Sequence, residues 1–125
     1  MTKQAPGFQK PNPKNEYQVG IESAANTIMV TRDHFWVSKP KNEVAEWFCL
    51  NKDHDPTHVH SNNCFKIVFD PNNHPFKTHE FISNADGYAS SGHVRDEVKG
   101  DNNKHYKYTV AVGNRTLDPQ GGVRP

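Results

Sequence analysis

The sequence predicts an all-β domain, a Greek-key β-sandwich of about seven short strands, with a partly open barrel as the alternative. Three observations carry this expectation. Short apolar runs recur from residue 26 onward, and none has the length or period of a helix. Several runs alternate apolar and polar residues with a period of two, the mark of a half-buried strand. Turn formers separate them: Pro40 with Asn42, Asp70-Pro71-Asn72-Asn73, and Gly113-Asn114. A chain of 125 residues has room for one domain with one core.

Taken in order, residues 1 to about 20 hold Pro6, Pro11, Pro13, Gly7 and Gly20 among Lys, Gln and Asn, with Phe8 and Tyr17 as their large apolar groups. This composition predicts an extended or flexible tail over 1–25, whose Phe8 or Tyr17 could dock on the domain, and a domain over 26–125. Thr27-Ile28-Met29-Val30-Thr31 reads as a β-branched strand, followed by His34-Phe35-Trp36-Val37. Phe35 and Trp36 are neighbours and face opposite ways in a regular strand. One of them therefore reaches the surface, to mark a docking face or to be covered by the tail.

Val44–Leu50 reads as a third strand whose Ala45, Trp47 and Cys49 share a face, which makes Cys49 a buried apolar thiol. After the polar stretch 51–63, Cys64–Phe69 places Phe65, Ile67 and Phe69 on one face, and Phe76–Ile82 is a further candidate. Ser83–Lys104 reads as a long connection with a short strand around His93–Val98. Tyr106–Val112 puts Tyr106, Tyr108, Val110 and Val112 on one face. Gly113-Asn114 is then a two-residue hairpin signal, and Arg115-Thr116-Leu117 begins the return strand.

Fifteen basic residues against fourteen acidic ones leave no global field, which argues against nucleic acid as a partner. The mean hydropathy of -0.93 is strongly polar. No apolar run approaches the roughly 20 residues of a membrane span, so no membrane insertion is expected. Met1-Thr2-Lys3-Gln4-Ala5-Pro6-Gly7 lacks an apolar signal core, which favours the cytoplasm, although a mature exported form would read the same. Two cysteines are too few for a disulfide framework; they could pair, bind metal or stay reduced.

The densest set of metal-ligand types is His54-Asp55-Pro56-Thr57-His58-Val59-His60, with Cys64 four residues on. In an extended segment His58 and His60 project to one side and could chelate one ion. His54, His58, His60 and Cys64 are the candidate ligands, and Zn(II), Cu(II) and Ni(II) accept such imidazole and thiolate sets. The bland reading is a solvated loop whose histidines bind nothing. His34, His74, His79, His93 and His105 are dispersed, and no glycine-rich phosphate loop or nucleophile elbow accompanies any candidate nucleophile.

The order of Thr27-Ile28-Met29-Val30-Thr31, the Trp47 strand, Phe65-Lys66-Ile67-Val68-Phe69, Tyr106–Val110 and Thr116-Leu117-Asp118-Pro119 resembles a cupredoxin-like domain of plastocyanin and azurin layout over residues 26–125. In that family a type 1 copper is held by an early His and by a Cys, His and Met clustered before the last strand. The corresponding loop here, Val112-Gly113-Asn114-Arg115-Thr116, contains none of these, and the methionines are Met1 and Met29. The resemblance thus implies the fold without type 1 copper electron transfer. A non-enzymatic binding module, contacting a protein partner or a small ligand, is the first functional expectation. The second is a metal-binding protein for Cu, Zn or Ni using the His54–His60 loop with Cys64, holding one Cu or Zn ion that is not a type 1 copper centre. A small enzyme with a non-blue metal or Cys/His site comes third.

Overall fold

A computed structural model describes residues 11–24, 26–51 and 55–125. Ten strands form: β1 (Gln18–Ala24), β2 (Thr27–Val30), β3 (His34–Ser38), β4 (Glu46–Cys49), β5 (Lys66–Phe69), β6 (Glu80–Ile82), β7 (Tyr88–Ser90), β8 (Tyr106–Val112), β9 (Arg115–Leu117) and β10 (Gln120–Arg124). No α-helix occurs among the described residues, so none is long and apolar enough to cross a membrane.

The strands make two sheets rather than a closed barrel. One orders β2-β1-β4-β7; the other orders β3-β10-β8-β5-β6, with β9 also pairing β8. Both sheets are mixed. β1 runs parallel to β4 and β10 parallel to β3, and every other pair is antiparallel.

Alternation decides which side chains enter the space between the sheets. Tyr106, Tyr108, Val110 and Val112 of β8 are buried, while Lys107, Thr109 and Ala111 are not. Phe35 and Val37 of β3, Trp47 of β4, and Ile67 and Phe69 of β5 join them. Trp47 is fully buried, with Phe35, Phe69, Phe81 and Tyr108 around it at ring-centroid distances of 5.8, 6.4, 5.8 and 5.7 Å. Its indole N–H donates to Tyr108 Oη at 3.3 Å, and burial pushes the Tyr108 phenol pKa up, so the hydroxyl stays neutral.

Residues 18–24, expected in the tail, form β1 at the heart of the four-stranded sheet. Val19 and Ile21 enter the core, and Tyr17 packs against it. The short Val19-Gly20-Ile21 run carries little strand signal alone; pairing with both β2 and β4 supplies the backbone partners. Residues 93–98 make a single bridge, Phe76 to Val94, and then turn, with the Val98 amide donating to Arg95 O at 3.1 Å. The strand in this connection is instead β7, which buries Ala89 against β4. After Asp118-Pro119 the return strand resumes as β10.

β10 carries adjacent glycines because both of its faces meet large rings. Gly121 pairs with Phe35 and Gly122 with Trp36. A Cβ on Gly121 would lie 2.1 Å from the Phe35 ring, inside the core. Gly121→Ala is therefore expected to lower stability by about 1–3 kcal/mol through overpacking. An unchanged urea midpoint would refute this.

Phe35 enters the core and Trp36 lies on the outer face, half-buried. The Arg124 guanidinium stands 4.6 Å over the Trp36 ring, and His34 stacks on that ring at 4.4 Å. The Trp36 amide donates to Glu16 O at 3.0 Å, so residues just before β1 cover this strand. Phe8 lies outside the described residues.

Candidate metal centre

Cys49 closes β4 in one sheet, and Cys64 lies just before β5 in the other. The segment between them therefore crosses one end of the core. The register that pairs Lys66 with Ala111 sets the turn after Val112 at this same end.

Local backbone chemistry fixes each position. The Cys49 amide donates to Gly87 O at 2.7 Å, in the turn before β7. The Asp55 amide donates to Asn51 O at 2.9 Å, and the His58 amide donates to Asp55 O at 3.0 Å, closing a turn over residues 55–58. Asp55 Oδ1 also accepts from the Thr57 amide at 3.2 Å and from its hydroxyl at 2.6 Å, an Asx turn that presents His58. Ser61 to Cys64 form a further turn in which the Cys64 amide donates to Ser61 O at 3.2 Å. The Ser61 amide points back at Cys64 Sγ, 3.3 Å away, and the Ser83 hydroxyl ties the turn down by donating to Ser61 O at 2.7 Å.

These turns place His58 Nε2 at 3.4 Å from Cys49 Sγ and at 3.4 Å from Cys64 Sγ. The three atoms all lie within 4.8 Å of one another. Neither cysteine is in a disulfide; both are buried, at 7% and 5% exposure, with His58 half-buried beside them. A hydrogen bond from Cys49, with contributions from the Ser61 amide and His58, outweighs burial and holds the Cys64 thiol pKa down at about 5.

Of the four ligands expected from sequence, His58 and Cys64 meet here, and His54 lies outside the described residues. His60 lies beside the group, its ring centroid 5.3 Å from that of His58 and its Nε2 buried. Cys49, read first as a buried core thiol and left out of that ligand set, is the added member. The available signal was its place at the end of a strand leading directly into the histidine loop; residue spacing alone did not reveal it.

Gly87 makes room for this arrangement. Its φ is +71°, and a Cβ would lie 2.8 Å from His60 Cγ and 3.0 Å from Cys49 Cβ. Gly87→Ala is expected to cost about 1–3 kcal/mol of stability and to weaken metal binding by displacing Cys49. Native-like binding in a stable Gly87→Ala chain would refute the second effect.

Elsewhere the fold brings together two of the dispersed histidines. His34 Nδ1–H donates to its neighbour Phe35 O at 2.8 Å, which leaves His34 Nε2 to accept from His105 Nδ1–H at 2.7 Å. Burial lowers the His34 pKa, in keeping with this neutral tautomer. His74 and His79 face each other at 5.8 Å, and His93 lines a separate surface groove of about 370 Å³ with Lys39, Lys77 and Asp96.

No family model, curated protein or solved structure matches the chain.

Proposed function

We propose that this protein is a metal-binding domain that holds one soft or borderline ion, zinc(II) or copper(I), on Cys49, His58 and Cys64. One observation carries the reading: a single imidazole nitrogen stands 3.4 Å from each of two thiol sulfurs. Zn–S and Zn–N bonds of about 2.3 and 2.05 Å at a tetrahedral angle require an S···N separation of about 3.6 Å. Each sulfur therefore stands close to its bound separation from the imidazole nitrogen before any ion arrives, and all three atoms lie within 4.8 Å of one another. Two thiolates with an imidazole select a thiophilic ion over calcium or magnesium, which take oxygen ligands.

A cupredoxin-like Greek-key sandwich is part of the same reading. The two mixed sheets and their β2-β1-β4-β7 and β3-β10-β8-β5-β6 orders support it. The ligand set differs from that of a type 1 copper: two thiolates and one imidazole replace one thiolate, two imidazoles and a thioether. Metal storage or delivery follows more naturally than electron transfer.

Binding displaces thiol protons, so affinity falls as pH drops. The test is elemental analysis of protein purified without a metal-affinity step, followed by titration with cobalt(II) as a spectroscopic stand-in for zinc. About one equivalent of metal is expected, with thiolate-to-cobalt charge-transfer absorption. Less than about a tenth of an equivalent, or cobalt binding without sulfur bands, would sink the metal reading and leave the non-enzymatic binding module.

A further inference from the structure

We infer that Cys49 and Cys64 also form a peroxide-driven switch that empties this site, an inference that rests on the metal reading above. Neither thiol is in a disulfide, and their sulfurs belong to one group of atoms within 4.8 Å of one another. A disulfide brings two sulfurs to about 2.05 Å. Each cysteine stands where a strand meets a loop: Cys49 ends β4, and Cys64 follows the Ser61 turn into β5. Closing the bond takes a movement of the two side chains at these strand–loop junctions.

Burial selects the oxidant. The two residues are only 7% and 5% exposed, which disfavours a bulky peptide disulfide and selects a small oxidant such as hydrogen peroxide. One sulfur attacks a peroxide oxygen. The S–O bond forms, the O–O bond breaks, and the departing hydroxide takes the thiol proton to become water. The second sulfur then attacks the resulting sulfenic acid. The S–S bond forms, the S–O bond breaks, and the departing hydroxide takes the second thiol proton by way of His58 Nε2, 3.4 Å from both sulfurs. Two thiols lose two electrons and two protons, and one peroxide becomes two waters.

The oxidised chain has lost both thiolate donors, and the remaining imidazole does not retain the ion. In the loaded site the sulfur lone pairs are committed to the metal, so the empty protein oxidises faster. Metal occupancy and the disulfide thus exclude each other.

The experiment uses the full chain, reduced and loaded with zinc, with a chromophoric chelator reporting free zinc as hydrogen peroxide is added. Zinc release should keep step with a mass loss of about 2 Da, two hydrogens, and with a Cys49–Cys64 linked peptide under non-reducing digestion. Cys49→Ser should abolish the link and leave oxygen adducts on Cys64. Three results would overturn the switch: zinc that stays bound through the treatment, zinc released with oxygen added to a single cysteine of the native chain, or a disulfide formed only between chains. Zinc bound by the reduced chain but unmoved by peroxide removes the switch alone. Failure of the reduced chain to bind zinc removes both the switch and the metal reading.

Discussion

Replacing Cys64 by serine is expected to strip the chain of metal, from about one equivalent of zinc to below about a tenth. The substitution removes one of the two thiolates and leaves Cys49 and His58 as the remaining members of the group. It also removes the sulfur that accepts the Ser61 amide, so the 61–64 turn loses one of its fixings. Thermal stability supplies a second readout. At free zinc 100-fold above Kd, a native-state ligand stabilises by about 2.7 kcal/mol, worth roughly 10 °C in Tm for a domain of this size. The native chain should show that rise on adding zinc, and Cys64→Ser should not.

His60→Ala is the discriminating companion. His60 contributes no nitrogen to the 4.8 Å group, so its removal should leave about one equivalent of zinc bound. Loss of metal from His60→Ala with retention in Cys49→Ser would instead return the site to the histidine loop by itself.

Trp47→Ala is expected to lower folding stability by about 3–5 kcal/mol, the upper range for deleting a buried aromatic. The indole is fully buried between the sheets, in edge or stacked contact with Phe35, Phe69, Phe81 and Tyr108. Those rings belong to β3, β5, β6 and β8 and cannot close the gap together without moving strand backbones. Trp47→Phe separates packing from polarity. It keeps a ring but removes the donor to Tyr108 Oη, so a smaller loss of about 1–3 kcal/mol is expected. Urea unfolding with unchanged m-values checks both substitutions. A loss under about 1 kcal/mol for Trp47→Ala would mean that another residue centres the core.

Much of the framework was legible from alternation. Tyr106–Val112 was predicted residue for residue as β8, and the strands at 27–31, 34–37 and 64–69 recur within one or two residues of their ends. Each has a local period of two, which survives whatever the neighbours do. β1 and β7 were missed because Val19 with Ile21, and Ala89 alone, bury too little for the pattern to register. They become strands by pairing with β4, one on each side of it.

The candidate site divides in the same way. The sequence by itself determined that His58 and Cys64 lie in one polar loop and that Cys49 lies in a core strand. It also determined that the 112–116 loop offers no Cys, His or Met. Only the tertiary structure decided that the two thiols meet at His58. Cys49 ends a strand of one sheet and Cys64 precedes a strand of the other, so their separation is set by how the sheets face each other. A pairing governed by that long-range geometry leaves no period or spacing in the chain to read.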